Sequence, residues 1–238
     1  MRDHIESRRC CAAGSASLAE QEVTRITQEP PTAASGPLLL ADISGYTSFL
    51  QSVAVAHQDD AFADGAVPDA YAMMSHLMDG IVERLVPPFT LSKLEGDAVF
   101  AYATDVASMP RGAAMLDCIG ECHTDFRRRL DRAHGMWTCQ CNACSRIDDL
   151  SLKFILHAGA FVIQEIAGRQ ELAGPEVVMA HRLLKSGAAD VVGHGAYALI
   201  SEAAVARFDI PTDAANPLVE TYEYYRPIHA YVFPLHSA

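Results

Sequence analysis

Apolar positions fall into two kinds of run along this chain. Pro37 to Ser44 is nearly continuous, with Leu38, Leu39, Leu40, Ala41 and Ile43, and predicts a buried central strand. Residues 46–57 read as a short helix, and 59–66, rich in aspartate and glycine, as a loop. Over 68–86 the residues Met74, Leu77, Met78, Ile81 and Leu85 fall on one stripe. That spacing predicts an amphipathic core helix, which Pro87-Pro88 stops. Phe89–Leu94 and Ala98–Ala103 predict a hairpin, and a second long helix follows from about Met109 to Ala133, with Met115, Ile119 and Phe126 on its apolar face. Leu152–Ile166 predicts a hairpin or a bent strand around Gly159. Gly174 opens a helix to about Lys185, residues 186–196 read as a loop, and a short strand, a short helix and a closing pair of strands over 219–235 complete the chain. Residues 1–36 lack a sustained apolar period and read as a disordered N-terminal tail, leaving one domain over 37–238 with a cysteine-rich insert at about 134–150. The order predicts an α+β fold: a ferredoxin-like antiparallel sheet covered by helices.

Two polar interruptions of these runs carry candidate chemistry. The first strand delivers Asp42 and then turns at Gly45 into a helix, and the hairpin of Phe89–Leu94 with Ala98–Ala103 has Asp97 at the exit of its turn, Lys93-Leu94-Glu95-Gly96-Asp97. A carboxylate beside the free N–H groups of a helix start suits a divalent cation and phosphate oxygens. Two such carboxylates on strand ends suggest two-metal chemistry on a nucleoside triphosphate. The structural alternatives are plain. Asp42 could cap the following helix, Lys93 could be a solvated turn lysine, and Arg182 could serve a salt bridge.

Composition narrows the partners. The chain has 238 residues and a formal net charge of −12, which repels nucleic-acid backbones and argues against DNA or RNA as a ligand. No apolar run reaches the roughly 20 residues of a membrane span, and no secretory segment is read at the start, so a cytoplasmic, reducing setting is expected. There clustered cysteines favour metal over disulfide. Seven cysteines occur, and Cys139-Gln140-Cys141-Asn142-Ala143-Cys144 places three within one short loop. Their spacing suits a structural zinc ion, with Cys122 taken as the fourth donor and Cys118, His123 and His134 as alternatives. Reduced thiols without a metal are the simpler reading.

The segment Asp42-Ile43-Ser44-Gly45-Tyr46-Thr47 resembles the first metal-binding motif of class III nucleotidyl cyclases, and Lys93-Leu94-Glu95-Gly96-Asp97-Ala98-Val99 resembles their second. Ile155-Leu156-His157-Ala158-Gly159 looks like the family's His-x-Gly strand. Gly174-Pro175-Glu176-Val177-Val178-Met179-Ala180-His181-Arg182 looks like its transition-state helix. Together they cover roughly residues 37–210, and with the cysteine insert and His181-Arg182-Leu183-Leu184-Lys185 this version most resembles a divergent bacterial branch of cyclase-like domains.

The resemblance implies a metal-dependent nucleotidyl cyclase that forms a 3′,5′-cyclic nucleotide from a nucleoside triphosphate, ATP favoured, with release of diphosphate. Asp42, Ile43 and Asp97 would hold two Mg²⁺ or Mn²⁺ ions. Ile43, Ser44, Gly45, Tyr46 and Thr47 would bind phosphates through backbone N–H groups. Lys93 and Glu171 would read the base, and Arg182 would stabilise charge on the α-phosphate. A homodimer with shared sites is implied as well. One position departs: the family's asparagine one turn before that arginine is Val178 here. Loss of such a polar group costs about 10²–10³ in rate. The alternative is therefore a degenerate cyclase-like module that binds a nucleotide or a protein without chemistry.

Overall fold

The Leu38–Ile43 run forms the middle of β1 (Thr32–Ser44), and both of its faces are covered. Alternation along a strand sends Leu39, Ala41 and Ile43 to one side and Leu38 and Leu40 to the other. In the computed structural model, residues 30–57, 67–136, 139, 141–193 and 195–236 are described. The first face packs α1 (Tyr46–Ala56), α2 (Asp69–Leu85) and α3 (Ala113–Met136) through Phe49, Val53, Leu77, Ile81, Met115 and Phe126. The second packs α4 (Pro175–Leu183) and α5 (Ala188–Val192) through Val177, Met179, Leu183 and Ala188.

The remaining strands are β2 (Thr90–Glu95), β3 (Ala98–Tyr102), β4 (Ser151–Ile166), β5 (Arg169–Ala173), β6 (Tyr197–Ser201), β7 (Asn216–Glu220) and β8 (Ile228–Pro234). The eight-stranded sheet runs β2-β3-β1-β4-β6-β8-β7, and β5 adds to β4. Its pairings are antiparallel except β4 with β6. A short helix, α6 (Glu202–Phe208), follows β6 and is capped by the Ser201 side chain, which accepts from the Ala204 N–H. The expected α+β architecture, a largely antiparallel sheet with helices on its faces, is the one found.

Several element bounds differ from expectation. β1 begins at Thr32 rather than at Pro37, so the expected tail boundary at residue 36 falls inside a strand; residues 1–29 lie outside the described residues. Thr32 to Gly36 pair with Ile163 to Gly159 of β4. On the β1 side this pairing rests on the backbone of small residues, which leave no apolar period to read. Gly36 is required there, because an added Cβ would meet the Ala103 carbonyl oxygen at 1.9 Å. β4 is one 16-residue strand, with Gly159 opposite Gly36, rather than a hairpin within Leu152–Ile166; its hairpin partner is β5. α5 lies within the residues expected to be loop. A single 3₁₀ turn at Val106–Ser108 precedes α3, which starts at Ala113. The expected loop over 59–66 lies outside the described residues.

Candidate active site

Strand register sets the acidic pair. Asp42 sits opposite Ala98 of β3 and Lys153 of β4, near the end of β1. Asp97 precedes Ala98 at the exit of the β2–β3 turn, where Gly96 takes φ 66°. The Ile43 N–H donates to the Asp97 carbonyl at 3.1 Å, which ties the turn to β1. Gly45, at φ 89°, then bends the chain out of β1 and into α1. The first N–H groups of α1, from Tyr46 onward, have no intrahelical partner. One open cleft is lined by residues 42–48 together with Asp97 and Lys153. The Ile43 N–H is thus already engaged by the turn and is not free for the phosphate role the resemblance implies.

The cleft is electrostatically loaded. The Asp42 side chain is 14 % exposed, and Lys153 Nζ lies 3.3 Å from its Oδ2. Burial raises the Asp42 carboxyl above its ordinary range; Lys153 opposes the rise and the Asp97 charge adds to it. Burial and Asp97 also raise the Tyr46 phenol. Two carboxyl side chains in one open cleft that admits oxygen donors are a donor set suited to hard divalent cations. Lys153 was not read from the sequence. Only the β1–β4 register, fixed by tertiary pairing, brings it to Asp42.

Lys93 and Glu171 do meet, at 2.9 Å between Nζ and Oε2. The lysine is shared: Glu95 Oε1 lies 3.3 Å from the same ammonium. Glu95 Oε2 in turn lies 2.9 Å from Nε2 of His181, whose Nδ1 faces the Val177 carbonyl at 2.7 Å. A charged row therefore joins β5, β2 and α4. Glu95 and His181 belong to it although sequence reading gave neither a role. The two neighbouring carboxylates hold the Lys93 ammonium above its ordinary range, Glu171 most of all.

Arg182 turns toward the segment between β7 and β8. Its guanidinium carbon lies 5.8 Å from the Tyr222 ring centroid and 5.1 Å from that of Tyr225, and Nη1 donates to the Glu223 carbonyl at 3.2 Å. Val178, one turn earlier on α4, is exposed. Lys93, Glu171 and Arg182 are not among the residues lining the Asp42 cleft. His157 is a core residue: Ser201 Oγ lies 2.8 Å from its Nδ1 and Glu176 Oε2 lies 2.6 Å from its Nε2.

The cysteine-rich insert packs beside α1, and a 3₁₀ helix, Cys144–Asp149, carries its last part. Cys139, Cys141 and Cys144 converge on His57, the C-cap of α1. Cys122, taken from the sequence as the fourth donor, lies in the core on α3 and outside this group, and burial pushes its thiol far up. The reason is simple: the fourth member of the group, His57, comes from the end of a helix more than eighty residues upstream, beyond any spacing rule.

A family model described as "Protein of unknown function (DUF2652)" matches residues 74–191. An uncharacterized protein of Mycobacterium tuberculosis, Rv2561/Rv2562, is 32% identical over 117 residues, which is 48% of this chain. The chain spans only 51% of that curated relative's length. Among solved structures, the adenylyl cyclase CyaB from Pseudomonas aeruginosa aligns with TM-score 0.59 at 14% identity, over 88% of this chain and 98% of that one. The guanylyl cyclase Cya2 gives 0.58 at 13%, over 86% and 93%. The guanylate cyclase domain of RhGC from Catenaria anguillulae, solved with GTP, gives 0.53 at 14%, over 87% and 100%. At these identities the shared property is the fold: this chain has the architecture of nucleotidyl cyclase domains.

Proposed function

We propose that this chain is a metal-dependent nucleotidyl cyclase that converts a nucleoside triphosphate, ATP favoured, into a 3′,5′-cyclic nucleotide and diphosphate. The observation that carries the reading is the shared cleft. Asp42, Asp97 and the N-terminus of α1 line one open site, on a fold that cyclase domains share. Asp42 and Asp97 would hold two Mg²⁺ or Mn²⁺ ions, which when bound supply charge neutralisation and a more acidic ribose hydroxyl. The first-turn N–H groups of α1 would orient the phosphates, and Lys153, a cation at the edge of the same cleft, would join them.

Lys93, Glu171 and Arg182 stand outside that cleft, which favours a homodimer in which one protomer presents the aspartates and its partner the base-reading and arginine groups. Lys93 as donor and Glu171 as acceptor match the edge of adenine. Arg182 would leave its place beside Tyr222 and Tyr225 to reach an α-phosphate. The test is turnover of the four nucleoside triphosphates with Mn²⁺, beside Asp42→Ala. Cyclic product from wild type and none from the variant supports the reading; equal behaviour of the two removes it.

One observation favours a second reading. Val178 is exposed where the resemblance calls for an asparagine, so no amide stands one turn before Arg182 to hold the ribose. The domain would then bind a nucleotide without turning it over. Stabilisation by a non-hydrolysable ATP analogue, with no product in the turnover assay, is its signature.

A further inference from the structure

The end of α1 farthest from the cleft carries a separate constellation. His57 Nε2 lies 3.6 Å from Sγ of Cys139, 3.4 Å from Sγ of Cys141 and 3.5 Å from Sγ of Cys144. All four donor atoms fall within 4.8 Å of one another. Hydrogen bonding does not account for this arrangement. An imidazole nitrogen has one hydrogen or one lone pair, and it serves one partner well, not three sulfurs at equal range. A disulfide would bring two sulfurs to about 2.05 Å and expel the third, and all three cysteines are free.

A tetrahedral metal does account for it. Zn–S bonds of about 2.3 Å and Zn–N bonds of about 2.05 Å, at tetrahedral angles, separate sulfur from nitrogen by about 3.6 Å. The three observed separations lie at that value or within 0.2 Å below it. The backbone supports the same chemistry: the Cys144 N–H donates to Cys141 Sγ at 3.4 Å, an outer-shell bond of the kind that steadies a thiolate ligand.

We propose that His57, Cys139, Cys141 and Cys144 form a Cys₃His zinc site that fastens the C-terminal end of α1 to the insert between α3 and β4. The link joins positions 82 to 87 residues apart. Closing so long a stretch of chain restricts the unfolded state more than a local clip does. It also bears on the cleft from a distance, because α1 starts at Tyr46 in the cleft and the insert lies along it through Ala143 and Arg146. The zinc site stands on its own geometry and does not depend on the cyclase reading.

The test uses the full chain, prepared without a polyhistidine tag, and measures metal content directly. Wild type is expected to carry about one zinc ion per chain. An organomercurial that blocks the thiols should release that zinc. Cobalt(II) in its place should show the visible bands of a tetrahedral site together with sulfur-to-metal charge transfer. His57→Ala and Cys141→Ser should lower zinc affinity beyond the about 10–100-fold that loss of an outer-shell partner costs, whereas Cys118→Ser should keep wild-type content. Should a ligand variant fail to fold, the wild-type zinc content and cobalt spectrum decide alone. Folded wild type that takes up no zinc and gives no cobalt–thiolate bands overturns the proposal. So does His57→Ala that retains zinc as wild type does.

Discussion

Lys93 and Glu171 stand 78 residues apart in sequence and meet at 2.9 Å, with Glu95 closing on the same ammonium from the other side at 3.3 Å. Two carboxylates thus surround one ammonium. A purine that accepts from Lys93 and donates to Glu171 would enter a site already organised in the free protein. Lys93→Ala is expected to raise the KM for ATP about tenfold, since a hydrogen bond to a charged group contributes about 1.5–3 kcal/mol. Mn²⁺ binding at Asp42 and Asp97 should be unchanged. Steady-state kinetics beside manganese titration checks both halves.

Val178 gives a gain-of-function prediction. It is exposed on α4, so a polar replacement disturbs no core packing, and surface changes of this kind stay within about 0.5 kcal/mol. Val178→Asn is expected to raise kcat by about 10²-fold with little change in KM, the amount one positioned polar group contributes to a transition state. An unchanged kcat in a folded, nucleotide-binding variant would mean that the valine is not what limits turnover.

Asp42 predicts a trade of stability against metal binding. Its folded carboxyl is raised above the ordinary 3.8 by burial first, with Asp97 adding and Lys153 opposing. A raised carboxyl favours the protonated folded state. Its stabilising contribution is therefore full below the unfolded value and is lost as pH climbs through the folded one. Asp42→Asn should thus raise the Tm of the metal-free chain at neutral pH, with the gain vanishing near pH 3. Mn²⁺ is expected to stabilise wild type and not this variant, if Asp42 holds the metal as proposed. Thermal melts across pH, with and without manganese, report both effects.

Lys153 lies against Asp42 on the neighbouring strand, and its charge opposes a cation in the cleft. Lys153→Met should tighten Mn²⁺ alone by about fivefold, corresponding to the ~1 kcal/mol scale of a partly exposed charge pair. It should weaken the triphosphate by a similar factor. Isothermal titration with manganese, then with a non-hydrolysable analogue, separates the two signs.

Gly36 tests the strand start that the sequence pattern hid. An added methyl would lie 1.9 Å from the Ala103 carbonyl oxygen, a backbone atom that cannot rotate away. Gly36→Ala is expected to cost about 3 kcal/mol, the upper end of overpacking penalties. Denaturant unfolding measures it, and a cost below ~0.5 kcal/mol would mean the edge of β1 is looser than its pairing with β4 implies.

The sequence by itself determined the elements whose cause is local. The apolar run of Leu38 to Ile43, the stripe from Met74 to Leu85 and the Gly96 turn each state their structure in consecutive or helically spaced residues. Asp42 and Asp97 were legible for the same reason, since each stands near a strand end within three residues of a glycine. Three thiols of the insert were legible from spacing alone. Tertiary structure decided what is written across distant segments. Lys153 reaches Asp42 only through the β1–β4 register, and His57 joins the cysteines only because the insert folds back along α1. Thr32 to Gly36 became strand only because β4 is long enough to pair with them. Backbone pairing and metal-type convergence leave no period in the sequence, because the partners that enforce them lie tens of residues away and are fixed by the packed sheet.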